Sequence, residues 1–275
     1  MKKLSLVIVV LLNVFFANAQ QRNCGTMQHL DEIRERDPGV DNRMDVENLD
    51  IKHWISNNTS SSKSMPNIIT IPVVVHVIYK NSSQNISDAQ IFSQIDILNE
   101  DFRMNNSDAS SVPSAFAGVA ADCEIEFCLA VRDPNGNVTT GITRTYTTTS
   151  SFSGYTSMKY SSTGGQDAWN TSDYLNIWVC NMSINFLGQE ITALLGYATP
   201  PDGLPHWPAG ATSGMSDGVV LQYQTVGANN PNQIDMGNGL QNTLGRTASH
   251  EVGHYLGLRH IWGDGDCTAE DGIDD

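Results

Sequence analysis

The feature that most constrains this chain is the run His250-Glu251-Val252-Gly253-His254-Tyr255-Leu256-Gly257-Leu258-Arg259-His260, which reads H-E-x-x-H-x-x-G-x-x-H. On a helix His250 and His254 lie four residues apart, so both imidazoles project from one face. Gly257 is the residue type that lets a chain leave a helix through a left-handed turn, after which His260 can swing back toward the other two. Five specified positions, three of them the rare residue His, coincide by chance in fewer than about one chain in ten thousand of this length. An ordinary amphipathic helix would account for the apolar spacing of Leu244, Ala248, Val252, Tyr255 and Leu256, but not for the histidines.

The residue types name a chemistry. Three neutral imidazoles with an open fourth position make a catalytic zinc site, whereas a structural zinc is closed by four ligands rich in Cys. His250, His254 and His260 are the candidate zinc ligands. Glu251, beside the first of them, is the candidate general base, taking a proton from water and passing it to a leaving amine. The reaction expected of this set is hydrolysis of peptide bonds by zinc-activated water.

The formal net charge of −15 over 275 residues argues against nucleic acid or an anionic membrane as a partner. Solubility in an extracellular setting accounts for such acidity. Lys2 and Lys3, an apolar run over residues 4–16 broken by Ser5 and Asn13, and Ala17-Asn18-Ala19 make an export signal with a small-x-small cleavage site. The run is too short for a stable bilayer anchor, so the mature chain is expected to be secreted, with no membrane contact after signal removal. Of the cysteines, Cys24, Cys123, Cys128, Cys180 and Cys267, at least one stays unpaired within the chain because the count is odd. Cys123 and Cys128 fall in an expected strand, 123–132, where residues five apart face opposite sides and do not pair with each other.

Residues 20–65 are polar, with a short charged helical patch at 28–36 ended by Asp37-Pro38-Gly39, and a Ser/Asn-rich exposed linker at 57–64. A compact domain follows. Residues 68–79 read as a β-branched strand with Pro72 at an edge or irregular position near its start. Ser87-Asp88 caps a helix to about Met104, with Ile91, Ile95, Leu98 and Phe102 on one face. Further strands are expected at 174–180, 192–198 and 218–223, with a turn at Asp133-Pro134-Asn135-Gly136 and the histidine helix over 238–256. Strands interleaved with two long helices indicate an α+β or mixed α/β layer architecture. His29, His53, His76 and His206 read as surface or packing residues, His76 as a hydrogen-bonded core histidine inside an apolar strand.

Beyond the histidine motif, Ile71-Pro72-Val73-Val74-Val75-His76-Val77, Gln94-Ile95-Asp96-Ile97-Leu98-Asn99-Glu100-Asp101-Phe102, Leu175-Asn176-Ile177-Trp178-Val179, Leu195-Gly196-Tyr197-Ala198 and Asp217-Gly218-Val219-Val220 are similar to elements of one family. Over residues 22–275 the chain resembles the pappalysin family of metzincin metalloproteases, most of all its secreted bacterial members, the ulilysin and cytophagalysin-like proteins. The resemblance implies a zincin fold: a twisted, mostly parallel sheet with an antiparallel edge strand, a backing helix and an active-site helix. It carries the zinc roles onto His250, His254 and His260, and the base role onto Glu251. The edge strand around 194–198 would then pair with an extended protein or peptide substrate. Arg22-Asn23-Cys24-Gly25 resembles the cysteine-switch motif of latent precursors, in which Cys24 would occupy the position that water needs; a disulfide or a free thiol is the other reading of Cys24. The domains expected are a signal peptide (1–19), a propeptide with switch and linker (20–65), and a metzincin-like catalytic domain (66–275). Proteolysis near 57–65 would activate the enzyme.

The chain departs from that pattern in one respect. A Met-turn follows the third ligand in metzincins, whereas the last methionine here is Met236 and fifteen residues follow His260. The expectation is a truncated lower subdomain, Cys267 separated from its partner, and a second functional reading: a catalytically impaired fragment or a non-catalytic zinc- and peptide-binding adhesion module. Asp264, Asp266, Glu270, Asp271, Asp274 and Asp275 form a candidate Ca²⁺ site by the same resemblance, or a solvated acidic tail.

Overall fold

The computed structural model describes residues 24–58, 68–186, 189–192, 194–201, 216–235, 240–261, 263 and 268. The expected leader, His206, Met236, Trp262, Cys267 and the acidic residues from Asp264 onward lie outside the described residues.

Strand β1 (Ile69–Tyr79) is the long β-branched run that the composition favours as a strand, and it lies inside a six-stranded sheet. On one side it pairs in parallel first with β2 (Ile125–Leu129) and then with β3 (Ile142–Tyr146); on the other it pairs with β4 (Leu175–Cys180). Two short strands, β5 (Ser183–Phe186) and β6 (Gln189–Thr192), form a separate antiparallel ribbon. The sheet continues from β4 to parallel β8 (Gly218–Gln222) and ends at antiparallel β7 (Gly196–Thr199). This is the expected mixed architecture with one antiparallel edge. Pro72 does not lie on an edge strand, yet its position is still unpaired on one side. Ile69, Val73 and Val75 make their backbone bonds toward β2 and β3, so alternation turns residue 72 toward β4, whose register begins only at Val73.

Both faces of the sheet are covered, as a mostly parallel sheet requires. On one face lies helix α3 (Asp88–Phe102), preceded by helices α1 (Thr26–Arg36) and α2 (Val40–Asn58) in the chain. Its start is a capping box between Ser87 and Gln90, and it buries Ile91, Ile95, Leu98 and Phe102 against Val73, Val75, Val77 and Phe127. Ala248, Val252 and Tyr255 of helix α4 (Arg246–Tyr255) join that cluster. The other face carries Ile78, Met158, Trp178, Cys180, Tyr197 and Val220. His76 is a buried, hydrogen-bonded core histidine, with Nδ1 2.8 Å from Thr143 Oγ1 and Nε2 3.0 Å from Asn176 Oδ1.

Several boundaries differ from expectation. The histidine helix begins at Arg246, because Leu244 and Gly245 take left-handed backbone angles (φ 54° and 72°) that a helix excludes; Leu244 is exposed rather than on the helix's apolar face. The expected strand 192–198 divides into the end of β6 and the start of β7. Cys123 lies outside β2, and Cys24, Cys123, Cys128 and Cys180 are all free, so none of these four forms a disulfide. Residues 40–58 form a helix that periodicity does not announce, since Leu49, Ile51 and Trp54 are exposed and no apolar stripe meets a core. The first two residues of the expected linker are the last of α2; the others lie outside the described residues.

One side chain fixes where α4 starts. The buried Gln94 amide on α3 donates to Gly245 O at 3.0 Å and accepts from Gly227 N at 2.9 Å. A Cβ at position 245 would lie 2.5 Å from Ile97 Cδ1. Gly245→Ala is expected to cost about 1–3 kcal/mol through backbone strain and this clash, read as a lower urea midpoint at unchanged slope. Burial pulls His76 from its ordinary 6.5 down to about 4, so the unfolded chain binds a proton between those values that the folded chain does not. Stability contributed by neutral His76 is full above pH 6.5 and is lost as pH falls toward 4, by about 3 kcal/mol for this group. Urea titrations across that window should show His76→Gln losing stability less steeply than the parent.

Candidate metal centre and active site

Helix α4 is anchored on its first turn. Arg246 pairs with Asp101 at 2.8 Å and Asp108 at 2.6 Å, and the Ser249 hydroxyl donates to Asp101. Its apolar face is held in the core, which leaves the opposite face to present His250, exposed, and His254, buried. The helix ends in a Schellman turn. Gly257, at φ 96°, donates to His254 O at 2.9 Å, and Leu258 donates to Gly253 O at 3.0 Å. That reversal returns buried His260 to the other two imidazoles, as the spacing predicts.

The three Nε2 atoms form a nearly equilateral triangle: 3.1 Å from His254 to His250, 3.2 Å from His254 to His260, and 3.3 Å from His260 to His250. A tetrahedral zinc with bonds of 2.0–2.1 Å requires its nitrogen ligands to be about 3.3 Å apart, so the triangle fits the ion. Nδ1 of His254 lies 2.7 Å from Leu258 O. A carbonyl can only accept, so Nδ1 carries the proton and Nε2 keeps its lone pair for a metal. Cys24 completes the group: its sulfur and the three imidazole nitrogens all lie within 4.8 Å of one another.

Glu251 points under the edge strand. A Cβ at Gly196 would lie 2.8 Å from Glu251 Cγ, so only glycine lets β7 pass this close. Glu251 Oε2 accepts from Thr26 Oγ1 at 3.0 Å and from Cys24 Sγ at 3.6 Å. Burial pushes this carboxyl up to about 8, against the lowering effect of those two donors. Burial and then the Glu251 charge push the Cys24 thiol up to about 12; a cation held by the imidazoles works in the opposite direction, since a coordinating thiol is deprotonated.

Residues 24–26 also occupy the free edge of the sheet. Cys24 bridges Gly196 in parallel, Gly25 N donates to Gly196 O at 2.8 Å, and Ala198 N donates to Thr26 Oγ1 at 2.9 Å. The structure thus brings together His250, Glu251, His254, His260 and Cys24 from the sequence reading, and adds two residues that it missed. Thr26 stands next to Cys24-Gly25 without a motif of its own, and the need for glycine at 196 shows only once β7 lies on α4. The candidate calcium residues fall outside the described residues.

With this geometry in view, the comparisons are specific. Mature mirolysin of Tannerella forsythia, in complex with a cleaved peptide, is 51% identical, with a TM-score of 0.64 over 76% of this chain and 71% of that one. A promirolysin mutant from the same organism is 47% identical, with a TM-score of 0.69 over 92% of this chain and 75% of that one. The chain belongs to the pappalysin family of metzincins. An extracellular metalloprotease of Arthroderma gypseum is 23% identical over 256 residues, 92% of this chain. This pappalysin chain spans 65% of the length of that curated relative and 58% of one from Arthroderma benhamiae. No family model matches it. No helix among the described residues is long and apolar enough to cross a membrane, and the extracellular location expected from the leader agrees with the relatives' names.

The triangle makes a metal-binding prediction. The full chain should take up one zinc ion, and His254→Ala should weaken its retention by more than about 100-fold in competition with a chromophoric chelator. Equal retention by parent and variant would remove His254 from the ligand set.

Proposed function

We propose that this chain is a secreted zinc endopeptidase made as a latent precursor, with His250, His254 and His260 as ligands, Glu251 as general base and Cys24 as the latency switch. The observation that carries the reading is the triangle of imidazole nitrogens at 3.1–3.3 Å with a buried carboxylate one residue along the helix. When bound there, zinc supplies Lewis acidity toward water and the scissile carbonyl.

The protein's own residues supply the rest. A peptide lying along β7 finds the Gly196 carbonyl and the Ala198 amide, the groups that Gly25 and Thr26 now engage. Gly196 brings that edge against the Glu251 side chain, so the attacked carbonyl and the base face each other across one strand. Glu251 takes the proton of the attacking water and delivers it to the amine that leaves. Relatives named as metalloproteases and mirolysin's complex with a cleaved peptide support a peptide substrate here.

Latency is a blockade of three components at once. Cys24 stands among the ligands, the Thr26 hydroxyl caps the base, and Gly25 fills the edge. Residues 20–65 are read as the propeptide, 1–19 as the leader and 66–275 as the catalytic domain. In support, the promirolysin form covers 92% of this chain and the mature form 76%, a gap about as large as the 20–65 segment.

In the zinc-loaded, processed protein Glu251→Gln should lower peptide cleavage by about 10²–10⁴-fold while zinc content stays at parent level. Cleavage at the parental rate would remove Glu251 as the general base, and no cleavage by the zinc-loaded parent would leave a zinc- and peptide-binding module. In the unprocessed precursor Cys24→Ser should raise activity, and Thr26→Val should raise it on the order of tenfold with Cys24 intact, the scale of one hydrogen bond to a charged group. If Thr26→Val stays as silent as the parent, Thr26 has no part in the blockade.

A further inference from the structure

His29, on α1, is buried although it belongs to the segment read as propeptide. Its ring stacks on Tyr155 with centroids 4.9 Å apart and meets Tyr197 edge-on at 5.4 Å. Its Nε2 lies 3.0 Å from Thr199 Oγ1. All three partners come from the body of the protein, two of them from β7, the strand whose edge the latent segment covers.

The walls of this pocket are also held to one another by contacts that do not involve α1. Tyr197 donates its hydroxyl to Tyr155 O at 2.9 Å, and the Tyr155 and Tyr197 rings meet edge-on at 4.9 Å. Lys159 Nζ, behind them, donates to Thr199 Oγ1 at 2.8 Å and to Ser216 O at 2.7 Å. Departure of α1 therefore empties a preformed slot. The slot lies at the Thr199 end of β7, three residues or about 10 Å along the strand from Gly196, within reach of a peptide extended along that edge.

We infer that the Tyr155–Tyr197–Thr199 slot is a substrate subsite, about three residues from the scissile bond, which takes a flat, uncharged ring of the bound peptide and which His29 fills in the latent chain. The inference rests on the proposed peptidase reading. The chemistry of the ring follows from the walls. Two tyrosine rings offer one stacking and one edge contact to a planar group. Lys159 at the back disfavours a cationic side chain; accordingly burial, then Lys159 and Arg36, pull His29 down to about 3, so its imidazole sits there neutral. His29 Nδ1 is buried with no hydrogen-bond partner among the described residues, an expense that phenylalanine would not incur.

The test has two arms. Peptides carrying Phe, Tyr, His, Arg or Ala at each position on both sides of the cleaved bond are offered to the processed protein. One position should favour Phe over Ala by about fivefold in kcat/KM, the scale of one aromatic contact, with Arg disfavoured, and Tyr155→Ala should bring that ratio to about one. The absence of any such position, or a ratio that survives Tyr155→Ala, overturns the subsite. In the second arm, the unprocessed chain with His29→Ala is melted with increasing 4-methylimidazole or toluene. A saturable rise in Tm, absent from the parent and from the His29→Ala/Tyr155→Ala double variant, supports a ring-binding slot; no rise in the single variant overturns it. The second arm reads binding without turnover. Failure of the peptidase reading appears separately, as no cleavage of any peptide by the parent.

Discussion

Gly257 sits at φ 96°, and the two bonds that close the turn around it set the position of both His260 and the Leu258 carbonyl. The first supplies the third imidazole; the second holds His254 in the tautomer that leaves Nε2 open. A helix alone could offer two imidazoles from one face, but not a third vertex of the triangle. The rest of the centre is arranged around that reversal. The core grips the apolar face of α4, Gln94 fixes its start, and Asp101 with Asp108 holds its first turn.

Glu251 is the second organising element, and its position has an energetic consequence. A carboxyl group this deeply buried is costly to ionise. In the latent arrangement the cost is moderated by a hydroxyl and a thiol from residues 24–26, groups that leave with the segment carrying them. On the proposed function, opening the edge of β7 would expose the carboxyl to solvent at the same time as it admits a peptide.

What could be read in the sequence follows the range over which each feature is determined. The histidine motif is local: helical spacing, a glycine and a return, all within eleven residues. The sheet was legible because β1, β4 and β8 are apolar runs, and its hand-over to an antiparallel edge came through family resemblance. Interactions across long separations were invisible. Thr26 meets Glu251 across 225 positions, and His29 meets Thr199 across 170; neither is marked by a pattern in its own neighbourhood. Gly239 and Gly245 are breakers inside the expected helix 238–256, and the real start of α4 is set by the left-handed angles of Leu244 and Gly245 and by Gln94 from another helix. Helix α2 carries no such signal: Val40 is buried at its start, but Val46, Leu49, Ile51 and Trp54 face outward.

The contacts between residues 24–36 and β7 are few and short-ranged, and their strength as an obstruction depends on covalent continuity with the domain that they cover. While the chain is intact, that segment is held at an effective concentration on the order of millimolar. On the proposed zymogen reading, a cut in the linker would turn the same contacts into an ordinary bimolecular equilibrium, in which the freed fragment competes with everything else in solution for the strand's edge. Such a cut need not disturb a single atom near the imidazoles: on this proposal dilution would do the unblocking, and a crowded, slowly exchanging medium would delay it.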